Sequence, residues 1–193
     1  MRKLRLQMQV TIDGFNSTGP NDEQTWVTWD LAGLTPHVVD LLDSSDTILL
    51  GRKLGVDYIP FWEGVSQNPD HPMHVFATRI VAAKKVIFTK TLDESRWERT
   101  TLARGDLKDE VNRLKNQPGK DLIVYGGSSF VASLIREDLI DEYHLFINPI
   151  AIGKGENTFA QLMNWQWMKL VTTRVYDSGI VLLVYQPRRD SDA

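Results

Sequence analysis

Apolar residues recur along this chain with two periods. Leu4, Leu6, Met8 and Val10 alternate with Arg5, Gln7 and Gln9, the period-two pattern of a strand with one buried face. Thr47–Leu50, Lys85–Thr89, Leu122–Tyr125 and Tyr143–Ile152 are short apolar runs rich in β-branched residues, as expected of buried strands. Helical spacing appears between them. Thr35–Ser44 reads as a helix with Thr35 as N-cap, Pro36 at the first helical position, and Val38, Leu41 and Leu42 on one face. Leu107–Asn116 is a charged amphipathic helix with Leu107, Val111 and Leu114 inward. Phe130, Val131, Leu134 and Ile135 form one stripe of another helix, for which Ser128 and Ser129 are candidate N-caps. Residues 57–73, rich in Pro, Gly and aromatics, read as the end of a short helix and a variable surface loop.

Near the C-terminus, Met168–Tyr176 and Gly179–Pro187 read as an antiparallel pair around Asp177-Ser178-Gly179, with Ile180–Tyr185 apolar enough for an interior strand. The order of elements predicts one α/β domain over residues 1–187, with a mostly parallel central sheet, flanking helices and an antiparallel C-terminal edge. Residues 188–193 are expected to fray.

Composition narrows the function classes. The 193 residues are 42% hydrophobic, enough for a packed core. A formal net charge of −3 leaves no basic excess to displace counterions, which argues against a nucleic-acid surface. With no cysteine, the chain has no disulfide, no thiolate metal site and no Cys nucleophile, in keeping with a cytoplasmic protein. No run approaches the ~20 apolar residues of a membrane helix. Met1–Val10 has a basic start but no sustained apolar core, so no signal peptide is expected.

The candidate chemistry clusters at strand ends. Gly126-Gly127, between a strand and a helix, lets the backbone turn tightly and puts free helix N–H groups where a phosphate or pyrophosphate could sit. The same pair could equally be a plain turn, since its spacing is neither GxGxxG nor a Walker loop. Gly51-Arg52-Lys53 ends a second strand with a cation beside a helix start, a phosphate receptor or a solvated basic turn. Thr89-Lys90 ends a third. Asp70, His71 and His74 lack a third firm ligand at metal spacing, and no metal site is expected.

The segment IVYGGSSFVASLIREDLIDEYHLFINPIAIGKGENTF resembles the C-terminal signature of the dihydrofolate reductase superfamily. It is most similar to the branch found in riboflavin biosynthesis (the RibD C-terminal domain) and in small stand-alone bacterial relatives. The residues carrying the likeness are Gly126-Gly127, Leu139-Ile140-Asp141-Glu142, Pro149, Gly153 and Gly155. Thr11-Ile12-Asp13-Gly14 matches the element that borders the nicotinamide in that family. Trp26-Val27-Thr28 matches one in the loop covering the active site.

The resemblance implies an NADPH-dependent reductase of a pterin- or pyrimidine-like heterocycle. The implied cofactor residues are Val10, Gly51, Arg52, Lys53, Thr89, Lys90, Gly126, Gly127, Ser128 and Ser129. The implied substrate-pocket residues are Asp13, Trp26, Thr28 and Thr35. Thr89 and Lys90 would favour the 2′-phosphate of NADPH.

Two departures stand out. Leu54 replaces a Thr that family members often carry. The helix carboxylate of dihydrofolate reductases proper falls near Thr35, leaving Asp30 as the nearest acid able to reach inward and a tentative catalytic group. The alternatives are the 5-amino-6-(5-phosphoribosylamino)uracil reductase of riboflavin biosynthesis, although no zinc-deaminase motif accompanies it here, and a non-catalytic nucleotide-binding module. The family's habit and the apolar late strands imply a homodimer that covers the sheet edge left open by Ile180–Tyr185 or its neighbour.

Overall fold

The structure, a computed structural model, describes residues 1–188. The tail expected to fray therefore lies outside the described residues except for Arg188, whose backbone N–H donates to the Trp167 carbonyl at 2.8 Å. Contacts gather into two compact units, residues 1–3 with 34–127, and residues 4–33 with 128 onward.

The first unit holds strands β2 (Ser45–Gly51), β3 (Lys84–Phe88), β4 (Thr100–Ala103) and β5 (Asp121–Val124) in the order β4-β3-β2-β5, all parallel. Parallel strands covered on both faces need side chains that are apolar on both. Ile48, Leu49 and Leu50 of β2 and Leu122, Ile123 and Val124 of β5 are all buried accordingly. Helix α1 (Leu31–Asp43, which enters this unit at Leu34), α2 (Arg52–Ser66), α3 (His74–Ala82) and α4 (Leu107–Lys115) complete it. The carboxylate of Asp106 caps α4 by accepting from the N–H groups of Lys108 and Asp109. Asp109 and Glu110 in its first turn and Arg113 and Lys115 in its last complement the helix dipole.

The second unit holds β1 (Leu4–Thr11), β6 (Glu142–Asn148), β7 (Met168–Val175) and β8 (Val181–Pro187) in the order β1-β6-β8-β7, with α5 (Ser128–Arg136). β1 and β6 are parallel, whereas β6·β8 and β7·β8 are antiparallel. The sheet is thus mostly parallel with an antiparallel C-terminal edge, as the sequence order predicts. β8 is interior, and the outermost strand is its neighbour β7.

Several boundaries differ from expectation. Helix α1 begins at Leu31, not Pro36, because the Asp30 carboxylate accepts the Gly33 N–H at 2.8 Å and caps the helix five residues before Thr35. Pro36 falls inside the helix on an exposed position. Residues 57–66 remain helical through Pro60 and Gly64, because packing of Gly55, Ile59 and Val65 outweighs local breakers when Pro60 faces solvent. Helix α3 and the four-residue β4 have no counterpart in the sequence reading. α5 starts at Ser128 itself, so neither Ser128 nor Ser129 is its N-cap. β6 stops at Asn148, because Pro149 has no N–H with which to continue a ladder.

Candidate functional site

In the first unit, parallel pairing brings the carboxyl ends of β2, β3 and β5 to one edge, since Gly51 pairs with Phe88 and Leu49 with Val124. Ligands of open α/β sheets bind outside such ends. The chain leaves β2 through Gly51 and enters α2 without any side-chain cap bond, so the first-turn N–H groups have no side-chain partner. Arg52 and Lys53 follow directly, exposed and without a hydrogen bond or ion pair among the described residues.

At the end of β5, Gly127 adopts φ +80°, a left-handed conformation that favours glycine. Gly126 is different. A Cβ built on it would meet only Leu54 Cδ2, at 3.8 Å, so its outer face is open. Leu54, the departure from the family's Thr, thereby packs the β2–α2 turn against the β5–α5 turn. Tyr58 of α2 stacks on Tyr125, just before the glycines, with centroids 6.0 Å apart, and holds the same corner. Burial pushes both phenols up, and Tyr125 adds to the shift at Tyr58, so both are neutral.

The end of β3 departs from expectation. The Thr89 hydroxyl accepts from the N–H groups of Thr91 and Leu92 and shapes a turn. The Lys90 amine donates to the carbonyls of Arg104 (2.6 Å) and Gly105 (2.8 Å), which leaves one of its three donors. Lys90 chiefly ties down the loop after β4, and Arg52 and Lys53 are the cations free to meet a phosphate.

In the second unit, Val10 is buried at the end of β1, and the Thr11 hydroxyl donates to Asp13 Oδ1 at 2.5 Å. Asp13 also accepts the N–H groups of Ile152 (3.1 Å) and Gly153 (2.7 Å), and the Thr11 and Gly153 bonds hold its carboxyl below the usual range. Asp13 thus clamps the loop after β6. The same docking explains the Gly-x-Gly signature. Gly153 has φ +73°, and a Cβ on Gly155 would lie 2.2 Å from the Ser17 carbonyl oxygen. Gly155→Ala is therefore expected to push the two loops apart and cost about 1–3 kcal/mol, the usual penalty for overpacking. Thermal denaturation of the variant checks this, and an unchanged midpoint would remove the close approach as the reason for the glycine.

Trp26 is buried and donates its indole N–H to Asp22 at 3.1 Å, whereas Trp29 is exposed. Burial pushes the Asp22 carboxyl up, but the bonds from Trp26, Gln24 and Thr18 outweigh it and lower the carboxyl overall. The Thr28 N–H donates at 2.8 Å to the Oδ1 of Asn148, a fully buried residue at the end of β6. The Asn148 amide donates to Gln9 Oε1 (2.8 Å) and to the Phe146 carbonyl (3.1 Å). Sequence reasoning passed over Asn148, although it is a polar residue within an apolar run at a strand end. It also passed over Asn16, whose amide donates to the Ser128 hydroxyl at 2.7 Å beside the start of α5. Thr35 lies half-buried inside α1, and the Asp30 carboxylate serves that helix's N-terminus instead of reaching inward.

A model of the RibD C-terminal domain family matches residues 2–182. The uncharacterized protein YyaP of Bacillus subtilis (strain 168) is 35% identical over 188 residues, covering 95% of this chain and 94% of YyaP. Among solved structures, a putative riboflavin biosynthesis protein from Shewanella sp. PV-4 superposes with a TM-score of 0.72 at 19% identity, over 97% of this chain and 99% of that one. A diaminohydroxyphosphoribosylaminopyrimidine deaminase/5-amino-6-(5-phosphoribosylamino)uracil reductase from Thermotoga maritima gives 0.69 at 17% identity, over 97% of this chain. The chain spans only 57% of that larger protein. These likenesses carry the fold, which is that of the riboflavin-biosynthesis reductases and of the dihydrofolate-reductase-like class.

Proposed function

The chain belongs to the RibD C-terminal domain family, and from that premise we propose that it is an NADPH-dependent reductase of a pyrimidine- or pterin-like heterocycle. The observation that carries this reading is the shared edge of the first unit. Gly51-Arg52-Lys53 and Gly126-Gly127 stand at the ends of adjacent parallel strands, with an uncapped helix start, two free cations and an open glycine face. These features suit the phosphates of a dinucleotide: the backbone N–H groups at the start of α2 donate, Gly126 allows close approach, and the guanidinium of Arg52 neutralises charge. The residues present fit the cofactor, which supplies the hydride when bound.

The remaining work falls to residues of the second unit. Asn148 fixes the backbone of Thr28, and Asp22 fixes the indole of Trp26, so the covering segment is held in one conformation. A segment held in this way orients a substrate and excludes water. With Asp30 engaged as a helix cap and no carboxylate at Thr35, proton delivery falls to water or to the substrate's own groups. The deaminase/reductase from Thermotoga maritima reduces a uracil derivative by its name, which favours a pyrimidine over a pterin here.

Fluorescence titration and loss of nicotinamide absorbance test the reading. NADPH is expected to bind more tightly than NADH, through Arg52 and Lys53. The preference should shrink at high salt, because exposed phosphate contacts are screened over about 8–10 Å. Equal dissociation constants for the two cofactors would overturn the choice of NADPH. Failure of both to bind would overturn the reductase.

A further inference from the structure

A pair of buried hydroxyls in the first unit has no partner. The phenol oxygens of Tyr58 on α2 and Tyr125 at the end of β5 are shut off from solvent, and neither makes a hydrogen bond among the described residues. The rings stack at 6.0 Å with an interplanar angle of 26°, yet the hydroxyls do not bond each other. Trp62 meets Tyr58 edge-on at 5.9 Å and offsets part of the upward push on its phenol, but not at hydrogen-bonding geometry. An unpaired hydroxyl in a desolvated place costs stability, and phenylalanine would fill the same space without that cost. Packing therefore does not explain why both rings carry an oxygen.

Their surroundings point to a ligand. Leu54, Tyr58 and Trp62 recur at i, i+4 and i+8, so they share one face of α2. Leu54 meets the open face of Gly126, and Tyr58 meets Tyr125 one turn further on. Phe61, 51% exposed, packs edge-on against Trp62 at 5.1 Å and stands at the solvent side of the cluster. Arg52 and Lys53 lie about 8–9 Å back along the helix axis, at its start. An aromatic-lined corner with neutral donors, and with its cations set back, suits a planar ring carrying a neutral oxygen better than a phosphate.

We propose that the Tyr58 and Tyr125 hydroxyls are the donor pair that holds a ring carbonyl of the heterocyclic substrate, selecting an oxo-pyrimidine type of ring over one without a carbonyl. The ring enters beside Gly126, one helical turn from the dinucleotide phosphates at the start of α2. Both tyrosines are part-exposed at their ring edges, and each turns on two side-chain torsions, so a small rotation brings the hydroxyl to the ligand. Burial keeps both phenols neutral, so they donate hydrogen bonds and surrender no proton. A carbonyl that pairs both donors removes the cost of leaving them unpaired, and the bonds count fully toward binding. The class of ring rests on the reductase reading, whereas the presence of a donor pair does not.

Calorimetric titration of the wild type, Tyr58→Phe and Tyr125→Phe tests this, with 5-aminouracil as one probe and pyrimidine, the same ring without carbonyls, as the other. The wild-type chain is expected to bind 5-aminouracil and not pyrimidine. Each variant should bind 5-aminouracil about tenfold more weakly, the worth of one neutral hydrogen bond. Without ligand, the thermal midpoint of each variant should equal or exceed that of the wild type, because the unpaired oxygen is gone and the ring stack is kept. A hydroxyl with a structural role would do the opposite, so a lowered midpoint overturns the inference. Unchanged 5-aminouracil affinity in both variants overturns it too, as does a wild-type chain that binds neither probe or binds both equally. NADPH affinity, titrated separately, should be the same in all three proteins. A tenfold loss there would assign the donors to the cofactor's carboxamide and overturn their assignment to the substrate. A chain that binds 5-aminouracil through both phenols but never binds NADPH keeps the donor pair and loses the reductase reading. One that binds NADPH but neither probe loses the donor pair alone.

Discussion

Gly126→Ala is expected to leave the protein folded with an unchanged thermal midpoint and to weaken NADPH binding on the order of 100-fold. The first half follows from the site's geometry. The new Cβ meets one atom, Leu54 Cδ2, at an ordinary contact distance of 3.8 Å, and the residue does not need a positive φ. The second half follows from the proposed role, because a methyl group then occupies the open face on which the dinucleotide phosphates would rest. Loss of one or two charge-assisted backbone contacts is worth about 1.5–3 kcal/mol each, and each 1.4 kcal/mol is tenfold in affinity.

Gly127→Val supplies the contrast. At φ +80°, valine is strained by about 1–3 kcal/mol, so stability and binding should fall together. Ser128→Ala removes the acceptor of the Asn16 amide at α5 and does not remove a helix cap, so its effect on stability should be the smaller. Titration of NADPH against intrinsic tryptophan fluorescence reads all three. If Gly126→Ala binds NADPH as the wild type does, the glycine pair is only a turn, and the proposed function loses the observation that carries it.

Asn148→Leu is expected to have the largest effect in the second unit, and in the opposite sense. Leucine has the same number and branching of heavy atoms as asparagine but none of its hydrogen bonds. The Thr28 N–H and the Gln9 amide oxygen would both lose their partner in a partly buried setting. Each such orphan costs about 1–3 kcal/mol, which for a chain of this size lowers the midpoint by about 5–15 °C. Below that midpoint, NADPH affinity should stay within a few-fold of wild type, while turnover falls by roughly 100-fold because Trp26-Val27-Thr28 is no longer fixed. Thr28→Ala is the control, since it keeps the backbone N–H that Asn148 binds and should retain most of the stability. A stable Asn148→Leu protein with full turnover would show that the covering segment is positioned by other contacts.

The fold was largely legible because its signals are local. β1 alternates because one face is buried, with Leu4, Leu6, Met8 and Val10 inside and Arg5, Gln7 and Gln9 half-buried opposite. α4 reads from the helical spacing of Leu107, Val111 and Leu114, of which the last two are buried. The late hairpin reads from Gly179, which takes φ +86°. What escaped was either too short or locally contradicted. β4 has four residues and exists by pairing with β3, and α2 runs through a Pro and a Gly that a local reading takes as a stop.

In the candidate site, sequence alone supplied the backbone motifs. Gly51-Arg52, Gly126-Gly127 and Asp13-Gly14 were identifiable because a glycine or a charge at a strand end has a local geometric meaning, whereas Gly153 and Gly155 were picked out only by the family resemblance. Tertiary structure decided what each side chain does. Lys90 is taken up by carbonyls of the loop after β4, and Asp13 by the amides of a loop 140 residues away. Asn16 finds Ser128 across 112 residues, and Thr28 finds Asn148 across 120. A hydrogen bond is won over the competing attraction of water only when both groups are held at contact distance in a desolvated place. Periodicity sets which face a residue presents, but that distance exists only once the strands have paired.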